Sequence, residues 1–266
     1  MNDGNGRPLA VVTGASSGIG RELAREFVEH DFDVVVTAED AGIETAAAAL
    51  RRPGATITAV RADLADPGGV EQLFRQVGLL NRPVDAVAIN AGVGVSGPFI
   101  ETDLRDHLRL VDLNVTGAVH LAHLLLPGMA ARGKGGVLFT SSIAATMPGP
   151  YMSTYNASKA FLHSFAEALR YELKDSGVTI TSLMPGPTDT DFFARADMED
   201  TKLGQAKKDD PADVARDGFE ALMAGKDHVV AGSLKNKVQA TAAGVIADKA
   251  TAALHGSMAK PGSGKD

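Results

Sequence analysis

Tyr155 and Lys159 stand four residues apart in Tyr155-Asn-Ala-Ser-Lys159, a spacing that puts both on one face of a helix. A free phenol, with a pKa of about 10, exchanges protons poorly near neutrality. An ammonium beside it favours the phenolate and is expected to lower that value, which would make Tyr155 a usable acid–base group. Lys159 could equally hold ribose hydroxyls. Thirteen residues before Tyr155, Ser141-Ser142 supplies hydroxyls, and Ser142 can hydrogen-bond a substrate oxygen and stabilise charge that develops on it. Taken alone, Tyr-x-x-x-Lys arises often by chance, and a half-buried Tyr next to a surface Lys is its ordinary explanation. The chain of 266 residues has no Cys. A thiolate nucleophile, a disulfide framework and a Cys-ligated zinc or iron–sulfur centre are therefore excluded, and no metal site is expected.

Such groups need a scaffold that brings strand ends and helix starts together. Short β-rich runs at Leu9–Thr13, Asp33–Thr37, Thr56–Arg61, Val84–Asn90, Gly136–Ser141, Thr179–Met184 and His228–Ala231 alternate with helix-like stretches near Gly18–His30, Ala41–Arg51, Pro67–Val77, Thr102–Arg132, Thr154–Ser176 and Pro211–Ala224. Alternation of this kind predicts the α/β class: one doubly wound parallel sheet of about seven strands with helices on both faces. Most of the strand runs are continuously apolar, as strands covered on both faces are. Asp209 or Asp210 can cap the helix that Pro211 opens.

Between the first strand and first helix lies Thr13-Gly-Ala-Ser-Ser-Gly-Ile-Gly20. Gly14 and Gly18 would let the backbone approach a pyrophosphate, Gly20 would let helix and sheet pack closely, and the helix start offers free N–H donors. A structural turn without a ligand is the competing explanation. The second strand ends in Thr37-Ala38-Glu39-Asp40, with no Lys or Arg. Glu39 would repel the 2′-phosphate of NADP and accept a hydrogen bond from the free 2′-hydroxyl of NAD, so NAD is favoured over NADP. Alternatively, Glu39 and Asp40 only cap the next helix. Asp63 and Leu64 would lie at the adenine edge, or Asp63 would serve as a cap ahead of Pro67.

From Leu9 to Gly232 the chain resembles the short-chain dehydrogenase/reductase family, in the family's order and spacing. The resemblance implies a single Rossmann-type domain over residues 1–233, with a substrate lid at about 187–208; the chain departs from the family's pattern in continuing as a C-terminal helical extension with a polar tail over 234–266. The resemblance implies coenzyme contacts from Gly14, Ser16, Ser17, Gly18, Ile19 and Gly20, from Asp63 and Leu64, and from the Asn90-Ala91-Gly92 segment that supports the central sheet; Glu39 departs from the family's pattern, and its contact is inferred from charge. The resemblance also implies contacts from Tyr155 and Lys159, and from Pro185, Gly186, Thr188 and Thr190 on the nicotinamide side. It implies a catalytic set of Asn114, Ser142, Tyr155 and Lys159, with Asn114 holding a water in a proton relay. A polar residue inside a long helix can instead mark a kink. The reaction implied is hydride transfer between NAD(P) and a carbonyl/alcohol pair.

Phe192, Phe193, Met198 and Leu203 of the lid stretch, with Val93, Met147, Tyr151 and Met184, would make an apolar pocket suited to a small hydrophobic ketone or secondary alcohol. Phe192 and Phe193 could equally cover the core. A net charge of −7 argues against nucleic acid as a partner. No continuous apolar run reaches the roughly 18 residues of a spanning helix, so no membrane partner and a cytoplasmic location are expected, with a homo-oligomer as the assembly. Residues 234–266 carry five Lys and two Asp; Leu234–Leu254 is helix-prone and Lys260–Asp266 reads as a frayed tail. The alternative function is a non-catalytic dinucleotide-binding regulatory or scaffold protein, whose mark would be loss of Tyr155 or Lys159. A lyase or epimerase would need a longer substrate segment.

Overall fold

In a computed structural model, which describes residues 6–233 and 248–265, seven strands form one parallel sheet. They are β1 (Leu9–Thr13), β2 (Asp33–Ala38), β3 (Ile57–Arg61), β4 (Ala86–Ile89), β5 (Gly135–Thr140), β6 (Val178–Pro185) and β7 (His228–Ala231), in the order β3-β2-β1-β4-β5-β6-β7. The chain returns to the middle of the sheet after β3, so the order reverses between β1 and β4. The doubly wound α/β sheet predicted from the alternation is the observed fold.

Strand alternation divides the core into two layers. Val11, Val35, Val60, Val87 and Val137 face α3 (Pro67–Leu79), α5 (Ala118–Arg132) and α6 (Ser153–Glu172), which contribute Leu73, Leu121 and Leu162. Ala10, Val12, Val34, Val36 and Leu138 face α1 (Gly18–Glu29), α2 (Gly42–Ala49) and α9 (Pro211–Met223), which contribute Phe27, Ile43 and Phe219. With both faces covered, a strand has no polar side to show, and the continuous apolar runs follow. Asp66 and Asp210 accept from the backbone N–H groups of Gly68 and Ala212, capping the helices that Pro67 and Pro211 open.

A continuous helical stretch, Leu104–Arg132, precedes β5. It comprises α4 (Leu104–Val111), a π-helical turn at Asp112–Gly117, and α5. By length and composition it could cross a membrane; here Leu121, Leu125 and Met129 pack it on the sheet. The sixth helix ends earlier than the sequence pattern suggests, because Gly177 turns the chain at φ +73° where a Cβ would lie 2.2 Å from the Gly133 carbonyl oxygen.

Two short helices absent from the sequence reading, α7 (Phe192–Arg195) and α8 (Lys202–Gln205), order the lid stretch. Of the C-terminal helix expected at 234–254, positions 234–247 lie outside the described residues. From Asp248 the chain is helical to Ala259 (α10), then turns through a 3-10 segment, Ser263–Lys265. That turn replaces the frayed tail expected from Lys260 onward. Ser263 Oγ accepts from Lys202 N at 3.0 Å and Gly264 N donates to Asp200 O at 2.8 Å, so the polar residues are tied to the lid.

Candidate functional site

A cleft opens along the carboxyl ends of β1 to β6, over the reversal between β1 and β4, where open α/β sheets bind ligands. All the residues expected to touch a coenzyme, from Gly14 through Thr190, line this cleft, as do Ser142, Tyr155 and Lys159. Asn114 does not; it lies buried behind it.

At the β1 end the glycines are required by space. Gly14 has φ +66°, and a Cβ there would lie 2.8 Å from Ala91 Cα; at Gly20 it would lie 2.2 Å from the Gly14 carbonyl oxygen. Thr13 Oγ1 accepts from the N–H groups of both Asn90 and Ala91 at 2.9 Å, and Asn90 Nδ2 donates to Thr13 O at 3.0 Å, which joins the turn to the end of β4. Ser17 precedes α1 without a side-chain capping bond, so the helix's first N–H groups point at the cleft as a pyrophosphate site requires. Ser16 Oγ donates to Asp40 Oδ2 at 2.8 Å, and Asp40 Oδ1 also accepts from Gly42 N at 2.8 Å, so Asp40 braces the glycine turn against the first residue of α2. A glycine cradle of this shape fits a dinucleotide.

Glu39 and Asp63 stand at the ends of β2 and β3 and share one arginine that sequence reasoning missed. Arg109, on α4, donates from Nη1 to Asp63 Oδ2 at 3.0 Å and from Nη2 to Asp63 Oδ1 at 3.2 Å, while Nη2 also binds Glu39 Oε2. The Arg109 hydrogen bond and the one from Ala65 N outweigh burial and hold the Asp63 carboxyl below its usual value. Arg61 Nε adds a bond to the Glu39 carbonyl at 2.9 Å. With Arg109 some 46 and 70 positions from its partners, no local spacing signals it.

The reactive end combines β5, the start of α6 and the end of β6. Ser142 Oγ donates to Pro185 O at 3.3 Å and accepts from Ala144 N at 3.1 Å. Burial pushes the Tyr155 phenol up to about 12, against a lowering hydrogen bond with Ser142. Burial thus outweighs the lowering expected from Lys159, whose Nζ lies 5.7 Å from the Tyr155 ring centroid and donates to Thr140 O at 2.9 Å. Burial pushes the amine itself down to about 8, which brings its titration close to neutral pH. Asn114 sits in the π-helical turn with Oδ1 accepting from Val93 N at 2.9 Å and Nδ2 donating to Val93 O and Ser158 Oγ. Both Asn114 and Lys159 abut Gly92, where a Cβ would lie 3.1 Å from Asn114 Oδ1 and 3.3 Å from Lys159 Nζ.

On the substrate side the apolar set divides. Val93 and Phe192 line the cleft, the Phe192 ring 5.1 Å from that of Tyr155. Phe193 and Met198 belong to a buried cluster with Met152, Ala196 and Ala259 of α10, against which Tyr151, Leu203 and the cleft-lining Tyr155 and Phe192 pack, so it backs the cleft wall; Met184 is buried within the sheet. Asp191 and Arg195 of the lid also line the cleft; the sequence reading gave them no role.

The profile of the short chain dehydrogenase family matches residues 8–201. The "Probable oxidoreductase EphD" of Mycobacterium tuberculosis is 34% identical over 191 residues, 71% of this chain and 32% of that protein. The chain thus spans about a third of the length of that relative. Among solved structures, a short-chain dehydrogenase from Sphingobium yanoikuyae in complex with NADPH has a TM-score of 0.78 at 27% identity, covering 84% of this chain and 87% of the other. A 3-ketoacyl-(acyl-carrier-protein) reductase from Brucella melitensis complexed with NADH has a TM-score of 0.74 at 25% identity, covering 84% and 96%.

Proposed function

Because this chain belongs to the short-chain dehydrogenase family, we propose that it is a nicotinamide-dependent oxidoreductase interconverting small hydrophobic ketones and secondary alcohols. The observation that carries this reading is the convergence of the glycine cradle with Ser142, Tyr155 and Lys159 along one cleft. A bound nicotinamide would supply or take up the hydride. Gly14, Gly18 and the start of α1 would hold its pyrophosphate, Glu39 and Asp63 its adenosine, and Pro185, Gly186, Thr188 and Thr190 its other end.

Ser142 orients the substrate oxygen, and Tyr155 exchanges a proton with it. Burial keeps the Tyr155 phenol protonated at neutral pH, the state that donates to a carbonyl oxygen in reduction. Lys159, at about 8, can lose and regain a proton near neutrality and so resupply the phenol. Val93 and Phe192 support an apolar substrate. NAD is favoured over NADP on the charge of Glu39.

The exposed stripe Leu104, Leu108 and Val111 on α4, beside Phe99 and Ile100, supports a homo-oligomer, and the net charge of −7 speaks against a nucleic-acid partner. A cytoplasmic location and no membrane partner complete the reading. The test follows reduced-coenzyme absorbance with both coenzymes against aliphatic, aromatic and cyclic ketones and alcohols. Turnover of apolar ketones is expected. Coenzyme binding without turnover of any of them would return the non-catalytic dinucleotide-binding alternative.

A further inference from the structure

Glu39 stands at the end of β2 in the lining of the cleft, while Asp40 beside it is engaged by Ser16 and Gly42. Taken with its own charge alone, Glu39 would reject a 2′-phosphate, which carries up to two negative charges. The tertiary structure changes that local charge. Arg109 reaches from α4 to both Glu39 and Asp63, and Arg61 lies at the Glu39 carbonyl. The Glu39 and Asp63 carboxylates thus share one guanidinium, that of Arg109, and a second, that of Arg61, lies close by on the Glu39 backbone. The Arg109 side chain is 44% exposed and the Glu39 side chain 51%, so their ion pair is a surface one, with little to hold it closed. Guanidinium is also the group best matched to phosphate, through parallel N–H donors.

We infer that Arg109 is a specificity-determining residue of the coenzyme site: by offsetting Glu39 and standing ready to pair with a 2′-phosphate, it lets the cleft admit NADP as well as NAD, with only a weak preference between them. This rests on the nicotinamide reading proposed for the same cleft. When no phosphate is present, Arg109 keeps Glu39 and Asp63 from repelling each other and fixes the carboxylates that face the ribose and adenine. With a phosphate, it exchanges the Glu39 contact for the stronger one and retains its two bonds to Asp63. A purely structural tie between α4 and the strand ends would serve both coenzymes equally.

The experiment titrates NADH and NADPH separately into the full-length chain and into Arg109→Gln, Arg109→Lys and Glu39→Gln, reading coenzyme fluorescence at low and high salt, with a thermal melt of each variant as the folding control. In the unaltered chain the two affinities are expected within about tenfold of each other. Arg109→Gln is expected to weaken NADPH by about tenfold and NADH by less than threefold, Arg109→Lys to restore part of the loss, and Glu39→Gln to tighten NADPH. Salt should weaken NADPH more than NADH in the unaltered chain, and that excess should vanish in Arg109→Gln. Equal weakening of both coenzymes, or no change in either, overturns the inference and leaves the nicotinamide reading intact. Failure of the unaltered chain to bind either coenzyme overturns that reading as well.

Discussion

The two ends of the cleft are built on different principles. At the coenzyme end, turns of a few residues follow directly on strands, and their shape is set by contacts within and between neighbouring strand ends: Gly20 against Gly14, Thr13 against Asn90 and Ala91. At the substrate end, residues 187–208 hold only the short helices α7 and α8 and depend on a segment some 60 positions later. Ser263 binds Lys202 across 61 residues, and Ala259 fills the cluster that buries Phe193 and Met198. One end is thus a rigid local construction and the other a surface segment strapped down from the C-terminus. The substrate end takes its shape from contacts with a segment remote in sequence, so loosening that strap is expected to alter the pocket and its specificity while the coenzyme end keeps its form.

That contrast can be broken at several points. The largest effect belongs to the meeting point of the two ends: Tyr155→Phe removes the exchangeable proton and is expected to lower turnover by about 10²–10⁴-fold, while coenzyme affinity measured by fluorescence changes little. Retained turnover would remove Tyr155 from the chemistry. On the rigid side, Gly18→Val places a branched side chain at φ +54°, where its Cβ would meet Thr190 Cγ2 at 2.8 Å. Coenzyme affinity is expected to fall at least tenfold, and an unchanged value would show that the turn yields more than its contacts imply.

Lys159→Met tests what the reactive end costs the fold. Because burial holds Lys159 at about 8, below its ordinary 10.5, the unfolded chain binds more protons between those values. Stability therefore rises with pH across that window, and the full penalty is present below it. The methionine variant is expected to be about 2 kcal/mol more stable near neutral pH, after allowing for the hydrogen bond lost at Thr140 O. The gain should vanish above pH 10.5. Urea unfolding at both extremes measures it, and equal stability throughout would mean that the amine is hydrated.

The smallest effect tests the strap. Ala259→Glu puts a carboxylate into the lid cluster and is expected to speed tryptic cleavage at Arg195, Lys202, Lys207 and Lys208 several-fold, and to raise KM for ketones while leaving NADH affinity unchanged. Unaltered cleavage would detach the C-terminal segment from the lid.

Legibility followed the same division. The seven strands, the glycine turn and the grouping of Ser142, Tyr155 and Lys159 could all be read from the sequence, because each depends on strand periodicity or on a turn of a few residues. Phe193 and Met198 could not be assigned. Phe193 fitted either cleft or core and Met198 was expected in the pocket, while Ala259, which draws both into the buried cluster, lies more than 60 positions away. The polar tail looked frayed by composition, yet Ser263 and Gly264 gain hydrogen bonds that only the folded lid provides. The acidity of Tyr155 was misjudged for a related reason: helical spacing sets which face a lysine occupies, but not that Thr140 O draws its amine away or that burial acts on both groups.

Sequence alone determined the parallel sheet, the order of its elements and the place where a phosphate could approach the backbone. These follow from side-chain periodicity and from glycine's freedom, both local properties of the chain. Tertiary structure decided the charges and the acidities. Electrostatic interactions depend on distance through space and on the water excluded, so Arg109 could join Glu39 to Asp63, and Lys159 could be driven toward neutrality, only once α4 and α6 had packed against the sheet.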